Sequence, residues 1–491
     1  AFSEEDRHRR RAMTRRALGA ASHHVHVGSR TFVGGALLAV AGVVASIPLV
    51  ARVLFPRLAA RTRKLAGSFV RPPDHTQLVV ERTSLAPGAN EGEIGFSVDE
   101  MTNSAERLLR DIGLTSDFAP IVFLFGHGSS SVNNPHRSAY DCGACGGNAG
   151  GPNARAMAEI LNDPRIRRRL AERGIEIAET TAFVGGLHNT CNDTITYYDL
   201  DRLAKARQKD YLAARTIIDA ACERNAHERC RRFQSAPMTM DFPSAHRHVE
   251  ARSEDLAQTR PECGHATNAL CIVGRRSRTL GLYMDRRAFL TSYDPTQDDA
   301  EGTVLTRLMQ AAVPVCGGIN LEYYFSFVDP TGWGCGTKLP HNVTSLLGIM
   351  DGAASDLRTG LPWQMVEIHD PVRLLFIIET TPETMLGIME RHEGIGRTIR
   401  NGWVQLALLA PDSEQVLLFQ NGRFEPYQPE KTELPRVPSS TDWYRGWREH
   451  LGYAQIAKPA NDARPPQYAA FSERQESHSA SSNGVHEPHL N

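Results

Sequence analysis

Neither sign of charge is in excess in this sequence of 491 residues: 55 Lys and Arg stand against 56 Asp and Glu, a formal net charge of -1. A chain without a global basic footprint is no general polyanion binder, so nucleic acid is not an expected partner. Aromatic residues are sparse at 7%, and the nine cysteines are an odd number scattered from Cys142 to Cys335. That pattern excludes a dense secreted disulfide scaffold and points to a reducing compartment with thiols free for metal or for burial. The glycine-rich stretches lack the Lys-Ser/Thr end of a phosphate loop, no second CxxC accompanies Cys142 and Cys145, and there is no internal repeat. With 41% hydrophobic and 23% charged residues the chain is neither disordered throughout nor mainly transmembrane. Its length suits about three domains.

The organisation expected along the chain is a basic and apolar amino-terminal segment with a linker (1–115), an α/β region (116–235), a second α/β region of the same body (236–430), and an extension with a polar, disordered tail (431–491). Arg7, Arg9, Arg10, Arg11, Arg15, Arg16 and Arg30 make the first thirty residues locally basic. The uncharged run FVGGALLAVAGVVASIPLV, Phe32 to Val50, reaches about 28 Å as a helix, but its glycines and Pro48 favour a buried or membrane-contacting helix over a span. Beyond it, Arg52, Arg57, Arg61, Arg63 and Lys64 alternate with apolar residues as an amphipathic continuation, and 71–95 reads as a linker. PIVFLFGHGSS reads as a buried strand delivering a polar loop at its carboxyl end. A helix over 154–174 interrupted at Pro164, a strand from Ile175 to Val184 and a helix over 199–232 follow. Further strands are expected at Ala269–Val273, Val313–Val315, Leu374–Ile378 and Val416–Phe419, and the aromatic stretch Leu321–Val328 is expected in a core.

The densest polar cluster runs from Gly126 to Arg155 and holds His127, His136, Asp141, Cys142 and Cys145 among glycines that allow close backbone approach. A neutral imidazole and a thiolate are good zinc ligands, so a zinc site using His127 and one of the two cysteines is the leading reading. A thiol redox pair at Cys142 and Cys145, a phosphate-cradling loop, and purely structural glycines and buried cysteines are the alternatives. His188, Cys191 and Asp193 in GLHNTCND, and Cys263 with His265 in PECGH, are more distant candidates, with the HNTCND turn expected to support the site from behind the ligands.

The ordered strings HGSSSVNNPHRSAYDCGACGGNAGGPNARAMAEILN, HNTCND, RPECGHATNA, DRRAFLTSYDPTQD, INLEYYFSFVD, GCGTKLPHNV and DLRTGLPWQ resemble the carboxyl-terminal half of the DabA family, the large subunit of bacterial inorganic carbon transporters. The resemblance runs from about residue 21 to about residue 430. It implies a β-carbonic-anhydrase-like core sheet and a zinc ion held by Cys, Asp, His and Cys, which would lower the pKa of a bound water towards about 7 for hydration of CO2 to bicarbonate. It also implies a DabB-type, proton-channel-like membrane subunit as partner, coupling to an ion gradient, and a peripheral place on the cytoplasmic side of the inner membrane. Carried over residue by residue, the His ligand falls on His127 and the second Cys ligand on Cys142; Asp141, Cys145, Asn133 and Asn134 are expected beside them in support. The first Cys and the Asp belong to a Cys-Ile-Asp-x-Arg motif that is absent here. Cys271 in LCIVGRRSR has no Asp two residues on and lies on the wrong side of His127. With the non-Met start, this leads us to expect a chain lacking an amino-terminal part, which by itself holds zinc weakly. A non-catalytic assembly subunit docking on a membrane partner is the rival expectation.

Overall fold

The computed structural model describes residues 4–66, 78–90, 92–130, 141, 147–255, 258, 264–336, 361, 370–430 and 433–457. The chain opens with three helices, α1 (Glu4–Gly28), α2 (Phe32–Leu54) and α3 (Pro56–Ala66). Thr31 caps α2 by accepting from the Gly34 N–H, and the break between α2 and α3 falls at Phe55, directly before Pro56. After a coil stretch, α4 (Val98–Asp111) starts on a reciprocal capping box between Ser97 and Glu100, the sequence signature S-x-x-E.

The first α/β unit follows. It comprises β1 (Ile121–Gly128), α5 (Gly151–Asn162), α6 (Pro164–Glu172), β2 (Ala182–Asn189), β3 (Ile195–Tyr197) and α7 (Gln208–Cys230). β1 and β2 are parallel and β3 returns antiparallel, in the order β1-β2-β3. The helix expected over 154–174 is two helices, because Pro164 opens α6 with Asp163 as its cap. The expected strand at Ile175 begins seven residues later, at Ala182. Gly174 ends the helix at φ 84°, and Ile175 instead packs into the core with Leu109, Leu161, Ile166, Leu170 and Phe183.

α8 (Phe242–Ser253) joins α7 around Ala226, Phe233, Ala245 and Val249. The second unit has β4 (Leu270–Gly274), β5 (Leu282–Tyr283), β6 (Ala288–Ser292), α9 (Thr303–Ala312), a π-helical turn (Val313–Gly318) and α10 (Ile319–Val328). It continues with β7 (Leu375–Glu379), α11 (Pro382–Arg391), α12 (Glu393–Arg400), β8 (Gln405–Leu409), β9 (Val416–Gln420) and β10 (Arg423–Pro426). Its six-stranded sheet runs β10-β9-β8-β7-β4-β6, with β8, β7, β4 and β6 parallel and their helices covering a core around Val273, Met309, Phe376 and Ile388. The strands expected near 269, 374 and 416 are β4, β7 and β9. Val313–Val315 is no strand: Pro314 denies a ladder donor, and the run is the wide turn linking α9 to α10. Thr303–Val328 is long and apolar enough to cross a membrane, yet Leu305, Met309, Cys316 and Tyr323 on its inner side are fully buried in the body. The aromatic stretch divides there, Tyr323 inward and Tyr324, Phe325 and Phe327 outward.

The extension from 433 builds β11 (Arg436–Val437), α13 (Ser440–Tyr444) and β12 (Ala454–Ile456), and β12 pairs with both β11 and β5. Most of the tail expected to be disordered, 458–491, lies outside the described residues. The architecture is α/β throughout the body.

Candidate functional site at the ends of β1 and β2

His127 stands near the carboxyl end of β1, directly in register with His188 on β2. Parallel strands place their polar loops at this end, which is why the apolar run IVFLF hands over to GHGSS here. Glycine makes the approach possible: a Cβ on Gly126 would lie 2.1 Å from the carbonyl carbon and oxygen of Gly150. The strand therefore meets the backbone entering α5 face to face, and the Gly150 N–H donates to the His127 carbonyl at 2.7 Å.

The His127 ring is open to solvent on one side. Its pKa is nevertheless held below the ordinary histidine value, first by desolvation against the strand end and then by repulsion from His265, with Asp141 pulling the other way. A ring N–H of His127 donates to the Asp141 backbone, and in a neutral ring such a bond leaves the other nitrogen as an acceptor. Asp141 is itself buried and anchored, its Oδ1 accepting from the Ser129 N–H at 3.0 Å. The loop residue that orients His127 is thus tied back to the same strand end. Cys142, Cys145, Asn133, Asn134 and His136 lie outside the described residues, as does Cys263.

The HNTCND turn forms the wall beside His127. His188 Nε2 sits 3.0 Å from Asp193 Oδ1. Asn225 Nδ2 donates to both Asp193 oxygens at 3.0 Å, and Arg229 on the same side of α7 pairs with Oδ2 at 2.6 Å. Burial opposes ionisation of Asp193, but Arg229 and His188, with Arg286 behind them, outweigh it and hold the carboxyl below the usual range. Cys191 is fully buried and donates to Asn189 Oδ1 at 3.1 Å, while Asn189 Nδ2 donates to Ser130 Oγ at 2.6 Å. These contacts make the turn a hydrogen-bonded loop tied to α7 and to the end of β1. Arg229 and Asn225, which secure it, carry no motif and escape sequence reading.

From the second unit, His265 precedes β4 and lies close enough for its charge to reach His127. Its Nδ1 is 3.5 Å from Cys316 Sγ, and the buried Cys271 thiol hydrogen-bonds Cys316. The Cys271 contact and His265 draw the Cys316 thiol down against the opposing effect of burial, and Cys271 is pushed up. Cys271, set aside as a ligand from sequence, is accordingly a buried partner of Cys316.

The zinc implied by the resemblance finds one well-formed donor among these side chains, neutral and oriented His127. Among the described residues no three His, Cys, Asp or Glu side chains converge to hold a metal ion, so they do not complete a zinc site.

No solved structure matches the chain. The family model described as "Probable inorganic carbon transporter subunit DabA" matches residues 1–404. A probable inorganic carbon transporter subunit DabA 2 of Rhodopirellula baltica is 54% identical over 93% of this chain and 42% of its own length. A DabA of a Parafrankia species is 47% identical over 85% of this chain and 40% of its own, and that of Methylococcus capsulatus is 46% identical over 84% and 39%. The chain spans about two fifths of the length of these curated relatives. Matched through most of its length by the family model, with the oriented His127 and the clamped HNTCND turn at one strand end, the chain belongs to the DabA family.

Proposed function

We propose that this chain is part of the large subunit of an energy-coupled inorganic carbon uptake complex, in which CO2 is hydrated to bicarbonate at a β-carbonic-anhydrase-like zinc site. The observation that carries the reading is the family match over residues 1–404. The neutral, solvent-facing His127, bonded to the Asp141 backbone, supports a ligand role. Cys142, one residue beyond Asp141, is the second ligand, and a Cys and an Asp from outside these 491 residues complete the four. When bound, the zinc would supply an acidified water. The chain's own part is to orient His127 through the Asp141 backbone and to keep the β2–β3 turn hydrogen-bonded beside it. A DabB-type membrane subunit couples the reaction to an ion gradient at the cytoplasmic face of the inner membrane.

Metal analysis tests the division of ligands. The purified 491-residue chain should hold well under one zinc and show no CO2 hydration. Adding the remaining part of a full-length relative should bring zinc to stoichiometric level, and His127→Ala or Cys142→Ala should abolish that gain. Stoichiometric zinc in the unmutated chain alone overturns the division, and restored zinc indifferent to both substitutions overturns the ligand assignment.

A further inference from the structure

β1 has the composition of an interior strand and the place of an edge strand. Its run IVFLF, Ile121 to Phe125, is apolar on both faces, the pattern of a strand with parallel neighbours on each side. In the second unit β4, of like composition, has two such neighbours, and its Leu270, Cys271 and Val273 are buried. β1 pairs with β2 alone, and none of its five apolar side chains is buried: four are half-buried and Phe125 is 40% exposed. Ile121 to Phe125 contains no charge or proline of the kind that blunts a free edge, and an unprotected apolar edge is a template for a further strand.

The alternation of the ladder fixes which groups are open. The Pro120 and Gly128 carbonyls accept from the Ala182 and Thr190 N–H groups at 2.9 and 2.8 Å, so the even-numbered positions address β2. The N–H and C=O groups of Ile121, Phe123, Phe125 and His127 therefore point the other way. Of these, only the His127 carbonyl has a backbone partner among the described residues, the Gly150 N–H. The ladder is closed at His127 and open at the three odd positions before it.

We propose that the open edge of β1 receives a β-strand from the part of the longer subunit that lies outside these 491 residues. Chain length selects the occupant. More than half of each relative's length lies outside the match. A strand carried on the same polypeptide meets the edge at an effective concentration that a second copy would equal only on the order of 1 mM. The docked strand ends short of His127, where Gly150 closes the ladder, so the loop attached to it arrives beside the candidate zinc ligand. The inference rests on the proposed function in taking its occupant from the same subunit, and it adds where that part binds and through which groups.

Hydrogen exchange in the presence of a chelator tests this without zinc, so strand docking and ligand assignment can fail separately. This chain is compared with the full-length Rhodopirellula baltica relative, read at the matching positions. In the chain alone the amides of Ile121, Phe123 and Phe125 should exchange fast and those of Val122, Leu124 and Gly126 slowly. In the full-length relative both sets should be slow, the odd set by about a hundredfold or more relative to the chain alone, because a paired amide exchanges only when its strand opens. Fast exchange at the odd positions of the relative would overturn the proposal. So would the absence of an odd–even contrast in the chain alone. Where that absence comes from slow odd amides, slowing that grows with protein concentration assigns the edge to a second copy, and slowing independent of concentration assigns it to this chain's own residues.

Discussion

Asp193 has a left-handed backbone at φ 59° and a side chain only 1% exposed, a position that asparagine or aspartate tolerates better than other side chains. Its carboxylate is worth keeping only because Arg229, Asn225 and His188 all meet it. Asp193→Asn leaves Arg229 buried without its countercharge, and loss of one partner of a buried pair costs about 3 kcal/mol. The urea midpoint at neutral pH should fall accordingly. The folded pKa of Asp193 is depressed, so its contribution is present above the unfolded carboxyl value near about 3.9 and is lost as pH falls through the folded value. The gap between the two proteins should therefore close in acid, and a gap that persists unchanged would show that the charge is not what matters. At this scale the HNTCND turn is legible in the sequence as a hydrogen-bonded loop because its polar residues are contiguous. Sequence reading missed Asn225 and Arg229 because a helix face declares its polar partners only when the opposing turn is known. Their i, i+4 spacing, which sets both on one side of α7, is the signal that was there to use.

The elements were legible where the local chemistry agreed with the fold. Continuous apolar runs gave β4, β7 and β9, and Asp163-Pro164 gave the boundary between α5 and α6. They were illegible where one residue reversed the sense of an apolar run, as Pro314 does in Val313–Val315 and Gly174 does before Ile175. Gly126 is the element-scale requirement most open to experiment. The atoms a Cβ would strike at 2.1 Å belong to the Gly150 backbone and cannot rotate away, so Gly126→Ala must push the entry of α5 off the end of β1. Such overpacking costs about 2 kcal/mol, and the apparent melting midpoint should drop by several degrees. Gly394→Ala, in α12, meets nothing within 4 Å and gains helix propensity, so it should leave the midpoint unchanged or slightly raised. Equal behaviour of the two variants would contradict the glycine-to-glycine contact.

Across the whole molecule, the segment 433–457 binds two regions that no motif connects. Tyr444 lies 2.7 Å from His227 Nδ1 of α7, Arg448 reaches the Ala236 carbonyl at 2.6 Å, and β12 lies on β5. At its centre Asp285, almost fully buried, pairs with Arg231 and accepts from the Tyr283 hydroxyl and the Leu451 N–H, both at 3.1 Å. His450 completes the arrangement as a neutral ring. Its Nδ1 lies 3.4 Å from Asp285 Oδ2, and its Nε2 accepts from the Asp370 N–H at 3.2 Å. Burial first, then Arg287 and Arg232, press its pKa down to about 4, against the pull of Asp370. The folded value lies below the unfolded one near about 6.5, so the unfolded segment takes a proton first as pH falls. The docking contribution of His450 is complete above that value and is lost progressively between it and about 4. A proton on Nε2 also ends its role as acceptor and sets a cation against two arginines. Hydrogen exchange should therefore show amides of residues 451–457 opening as pH is lowered through this window, after correction for intrinsic exchange. In His450→Gln, which keeps a donor and an acceptor without titrating, that dependence should vanish while the segment stays docked at neutral pH. A variant that opens with acid as the parent does would place the switch elsewhere, and Asp285, the carboxylate that both Arg231 and His450 address, would be the next group to change.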